Sequence, residues 1–123
     1  MGVPERLQSV IGAFPEARIV AFADMSARTV LSSAAAEDVT QEHLDRLCRE
    51  AKASFDDPLE GLAVQAFGDA YGAIVIDASA VKIFLRSEVE SSDALCCLCD
   101  HSIDLGPFVA KIRATLEEIS ADG

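Results

Sequence analysis

The sequence predicts an α/β (α+β) sandwich, a single five-stranded, mostly antiparallel sheet covered by helices. Three observations predict it. The C-terminal third holds three short apolar runs, Ala73–Ile76, Val81–Leu85 and Ala94–Cys99, each bounded by turn formers and too short for a helix. An amphipathic helical segment follows them, and a helix, a strand pair and a long helical region precede them. At 123 residues, half of them apolar, the chain can bury roughly two-thirds of its unfolded surface in one core, so residues 1–123 read as a single domain.

Val3, Leu7, Val10, Ile11 and Phe14 share one helical face, with Pro4 suited to a first turn and Pro15 ending the segment. Arg18–Asp24 is apolar on both sides, as in a strand covered on both faces. Asp24-Met25-Ser26-Ala27 supplies a turn, and Arg28–Ser33 returns as the second strand of a hairpin. Ser33–Val39 is a linker of small residues. Thr40 caps a helix over Thr40–Phe55, with Leu44, Leu47, Cys48, Ala51 and Phe55 on one face and Gln41, Asp45, Arg49 and Lys52 on the other.

Leu62–Phe67 admits two readings. Its length suits a strand, but Asp57 as N-cap, Pro58 at N1 and Glu60 at N3 make a capping-box pattern. Leu59, Leu62, Ala63, Ala66 and Phe67 then share a helical face, and Gly68 stops it. The capping pattern favours a second helical piece, with Gly61 inside it at a cost of ~1 kcal/mol. Tyr71–Asp77 and Val81–Arg86 form a hairpin around Ala78-Ser79-Ala80, and Ser87–Asp93 is an acidic turn before the last strand, Ala94–Asp100. Leu105–Ile119 closes the chain as a helix, with Leu105, Phe108, Val109, Ile112, Leu116 and Ile119 on one face and Pro107 in its first turn. The predicted order is α-β-β-α(broken)-β-β-β-α.

A formal charge of -11 and a pI near 4.4 repel phosphate backbones and anionic lipid, so nucleic acid and membrane surfaces are poor partners. No apolar run approaches the roughly 20 residues that a membrane span needs, and no secretory signal pattern opens the chain. Three of the four cysteines, Cys96, Cys97 and Cys99, lie almost adjacent, with Cys48 apart. That is unlike a disulfide framework and points to a reducing cytoplasm.

Cys96-Cys97-Leu98-Cys99-Asp100-His101 invites a metal or redox reading, with Cys97, Cys99 and His101 on one strand face. Residues i and i+2 on a strand stand about 7 Å apart, whereas tetrahedral ligands at a Zn–S distance of about 2.3 Å lie within about 4 Å of each other. Core packing of buried thiols is the simpler reading. His43 and His101 fall on different elements, and neither a G-x-S-x-G elbow nor a phosphate-binding loop occurs. Glu88, Glu90 and Asp93 read as a solvated turn, and Asp56 and Asp57 as capping residues. No catalytic, cofactor-binding or metal-binding residue is assigned.

The same element order resembles the roadblock family, the dynein light chain and bacterial GTPase-regulator group. The resemblance spans essentially the whole chain. It is carried by Arg18–Ser33 ending in Leu31-Ser32-Ser33, by Val81-Lys82-Ile83-Phe84-Leu85-Arg86, by Asp93-Ala94-Leu95-Cys96-Cys97-Leu98-Cys99-Asp100, and by Asp104-Leu105-Gly106, similar to the family's "D-x-N-L-G" entry to its final helix. The family's first hairpin usually turns through Asp-Gly, and here the turn Asp24-Met25-Ser26-Ala27-Arg28 has no glycine.

The resemblance implies a cytoplasmic, non-enzymatic module that forms a homodimer and regulates or scaffolds a small Ras-like GTPase. It places the dimer on the helix Thr40–Phe55 and on Tyr71–Asp77 as an open edge strand, where self-pairing would satisfy unpaired backbone groups. A small-molecule sensor of the related profilin-like type is the alternative, and a thiol or metal protein using Cys96–His101 a third.

Overall fold

The computed structural model describes residues 2–36, 38–56, 63–64, 72–76, 78–87 and 92–122. Along the chain come α1 (Val3–Ala13), β1 (Ala17–Asp24), β2 (Thr29–Ala35), α2 (Gln41–Asp56), β3 (Ala63–Val64), β4 (Gly72–Ile76), β5 (Val81–Arg86), β6 (Asp93–Cys99) and α3 (Leu105–Asp122). The strands form one sheet in the order β2-β1-β6-β5-β4-β3, antiparallel at every pairing.

Helix α1 forms where the spacing predicts, with Pro4 in its first turn and Leu7, Val10 and Ile11 buried. Strand β1 lies between β2 and β6, and both of its faces are covered by helices, which explains its apolar residues on both sides. Val20 and Phe22 face one core cluster, and Ile19, Ala21 and Ala23 face the other.

The β1–β2 turn is built by Asp24. Its Oδ1 accepts hydrogen bonds from the Ser26 amide at 2.9 Å, the Ser26 hydroxyl at 2.6 Å and the Ala27 amide at 3.3 Å. Arg28 then takes the left-handed conformation, φ 54°, doing what glycine does in a more permissive turn. This conformation delays β2 to Thr29. The strand also outruns its expected end, because Ala34 and Ala35 continue the ladder opposite Val20 and Ile19.

Helix α2 is capped by Thr40, whose Oγ1 accepts the His43 amide at 3.1 Å. Leu44, Leu47, Cys48 and Ala51 are buried, as the heptad-like spacing requires. In α3 the buried Thr115 donates its hydroxyl to the Lys111 carbonyl at 2.8 Å, which satisfies it within the helix.

The helices divide between the two faces of the sheet. Helices α1 and α3 share a core with Val20, Phe22, Ile83, Leu95 and Cys97. Phe14 and Phe108 meet edge to face there, with centroids 5.1 Å apart, and Arg6 pairs with Glu118 across the two helices. Helix α2 covers the opposite face, over Ile19, Ala21, Phe84, Ala94 and Cys96.

Two expectations are corrected. The sheet has six strands, because Ala63 and Val64 pair with Val75 and Ile74 where a continuous helix over Pro58–Phe67 was expected. The ladder offered by β4 takes Ala63 and Val64 into the sheet; the capping pattern itself, residues 57–62, lies outside the described residues. Consequently the described part of Tyr71–Asp77, β4, is not an open edge: it pairs with β5 along its length and with β3 at Ile74 and Val75. Tyr71, Asp77, Glu88 and Glu90 themselves fall outside the described residues.

Candidate interaction surface

The two borders of the sheet differ in kind. One is β3, with two residues. The other is β2, seven residues long. Phe22 pairs with Ser32 and Ala23 with Val30, so Leu31 has no partner across the ladder. This is a bulge on an edge strand. It breaks the regular row of donors and acceptors that another strand would need, and it leaves the Leu31 side chain 58% exposed.

Helix α2 turns its apolar stripe wholly into its own sheet. Its outer side carries Gln41, Glu42, Arg46 and Arg49, all exposed. Arg46 pairs with Glu42 one turn earlier at 3.8 Å, and Gln41 donates to Asp45 at 3.0 Å. The face is polar, of mixed charge and free of large apolar groups.

Beside α2 an open groove of about 250 Å³ runs over β1, β5 and β6. Ile19, Leu47, Ala80 and Leu98 contribute apolar surface to its lining, and Arg18, His43, Arg46, Glu50 and Lys82 contribute charge or polarity. Lys82 Nζ lies 2.8 Å from Glu50 Oε2, joining the sheet to the helix, and Arg18 Nε lies 2.6 Å from Asp100 Oδ1. The groove therefore gathers cations on a chain whose net charge is strongly negative, each with an acidic neighbour.

The cysteine cluster separates on folding. Cys96 faces α2, while Cys97 and Cys99 face α1 and α3. All four thiols are free and buried. Burial pushes the Cys96 and Cys97 thiols well above their ordinary range. Burial, with Asp100 and Glu16 adding, pushes Cys99 up to about 12. Cys48 is raised by burial and then by Asp45. His101 lies exposed in the turn after β6, off the strand that holds Cys97 and Cys99. Among the described residues, no group of three or more His, Cys, Asp or Glu could hold a metal ion. His43 sits on α2, so the two histidines remain on separate elements.

The architecture defines the chain as a roadblock- and profilin-like α+β domain. Similar solved structures include the roadblock/LC7 domain from Streptomyces avermitilis, at TM-score 0.74 and 12% identity, covering 97% of this chain and 95% of that one. The gliding protein MglB from Thermus thermophilus matches at TM-score 0.70 and 16% identity, covering 97% and 86%. Profilin IB from Acanthamoeba castellanii matches at TM-score 0.68 and 10% identity, covering 99% of both chains. At such identities the likeness establishes the fold. Neither a protein-family model nor a curated protein matches the sequence. Among the described residues, no helix is long and apolar enough to cross a membrane.

Proposed function

We propose that this chain is a cytoplasmic, non-enzymatic interaction module, a single roadblock-like domain that forms a homodimer and regulates or scaffolds a small Ras-like GTPase. The observation that carries this reading is the fold, matched over nearly its whole length by roadblock and MglB structures. An MglB with a tetrameric arrangement is among the similar structures, which supports self-association as a property this architecture accommodates. The raised thiols and the scattered histidines supply no nucleophile–base pair, which favours binding over catalysis.

With β4 already paired on both sides, the dimer is assigned to the β3 end of the sheet and the outer side of α2. The bulged β2 border is the poorer template. Static light scattering of the purified chain should return twice the monomer mass, and an immobilised chain should retain a Ras-like GTPase from its own proteome. Arg46→Glu with Arg49→Glu, both exposed on the side of α2 assigned to the dimer, should preserve the circular dichroism spectrum and weaken self-association on the order of tenfold through reversed charge, read as a fall in the light-scattering mass. A strict monomer that retains no GTPase would remove the reading.

The groove beside α2 favours one second reading, a small-molecule sensor of the profilin-like type. Native mass spectrometry of the freshly purified chain tests it. A stoichiometric adduct lost on Leu47→Trp supports the sensor, and a bare polypeptide mass argues against it.

A further inference from the structure

The outer side of α2 carries its charges in a fixed order. Glu42, Arg46 and Arg49 stand at i, i+4 and i+7, one stripe opposite the buried Leu44, Leu47, Cys48 and Ala51. All three are exposed, and so is Asp38 just ahead of the helix. The stripe is therefore acidic at the N-terminal end of α2 and basic one to two turns later, a separation of about 6–10 Å along the axis.

Within one copy this charge is weakly used. Arg46 reaches Glu42 at 3.8 Å, with the two side chains 56% and 82% exposed, a solvated pair that contributes little to the fold and is exchanged for another partner at little cost. The stripe lacks large apolar groups, so what it offers a partner is charge, and its pattern is self-complementary. Two copies related by an axis perpendicular to α2 run their helices antiparallel, and the acidic end of each lies over the basic turns of the other. An axis along the helix would instead set Glu42 on Glu42 and Arg46 on Arg46, like charges that repel. Copies of a chain with net charge -11 repel one another overall, so close approach requires opposite charges at the contact itself.

We propose that the charge order of α2 selects a second copy of this same chain, packed antiparallel at α2 with Glu42 of each copy facing the partner's Arg46 and Arg49. This inference rests on the dimer reading above and adds to it the orientation, the pairing residues and the choice of a like partner. An isologous contact repeats every pair, so one substitution alters two contacts.

The test is sedimentation equilibrium of four chains, the wild type, Glu42→Arg, Arg46→Glu with Arg49→Glu, and the triple variant that combines them, each checked for an unchanged circular dichroism spectrum. Glu42→Arg leaves the stripe wholly basic, and the double variant leaves it wholly acidic. Each should weaken the dimer about tenfold. The triple variant exchanges the two ends, restores the complementarity and should return the dimer Kd to near the wild-type value. Overall repulsion acts the other way, because Glu42→Arg makes the chain less negative and the triple variant makes it more negative than the wild type. A dimer that Glu42→Arg leaves unchanged or tightens would overturn the inference, as would a triple variant no tighter than the double one, and in either case the dimer reading itself survives. A wild-type chain that stays monomeric removes that reading and this inference together.

Discussion

Arg28 is the residue whose chemistry and backbone disagree most. Its positive φ costs an L-residue roughly 1–2 kcal/mol relative to glycine, and Arg28→Gly should recover about 1 kcal/mol, less the entropy glycine adds to the unfolded chain. Chemical denaturation of the two proteins measures it, and a destabilised variant would mean that the arginine side chain contributes more than its backbone loses. Asp24 acts in the same turn. Its carboxyl is held below the usual 3.8, chiefly by the Ser26 hydroxyl and then by the Ala27 amide. A depressed carboxyl favours the fold above its unfolded value, and this contribution is lost as pH falls through the lower folded value. An NMR titration of Asp24 should therefore show a midpoint below 3.8.

The cysteines titrate in the opposite sense. Thiols with raised values contribute fully below 9.0, their ordinary value, and that contribution falls as pH climbs from 9.0 through about 12 for Cys99. Near pH 8 the folded chain should be almost inert toward a thiol-specific disulfide reagent, and denaturant should release all four cysteines. Rapid labelling of the native protein would contradict their place in the core.

Among the elements, β2 and β3 decide what the sheet can join. The bulge at Leu31 was not readable from Thr29–Ala35 alone, because nothing in that run signals where the ladder slips against β1. Leu31→Lys should change stability by no more than ~0.5 kcal/mol, as expected of an exposed side chain outside the ladder. It should also leave the light-scattering mass equal to that of the unsubstituted chain. A lower mass in that variant would place the proposed self-association on β2. For β3, the capping pattern at Asp57, Pro58 and Glu60 spoke for a helix, while Gly61 and Gly68 bracket a run short enough for a strand. Local propensity was nearly balanced there, and the pairing partner decided between the two.

At the level of the whole molecule, α1 and α3 together seal one face of the sheet, while among the described helices α2 covers the other, with the groove beside it. The candidate groove borders the α2 face. Periodicity located the three helices of the described residues and placed Leu7, Leu47 and Phe108 on buried faces, because a face of a helix or strand is a local, repeating property of the chain; the same periodicity also offered a helical piece at Ala63–Val64, where a strand forms. The α+β class, the covering of β1 on both faces and the packing role of the cysteines were legible for the same reason. Only the tertiary structure decided that β4 has a neighbour on each side, that β2 is bulged, and that Ile19, Leu47, Lys82 and Leu98 meet around one groove. Those outcomes depend on which strand lies beside which, and that choice is made by backbone donors and acceptors far apart in sequence, which no local pattern records.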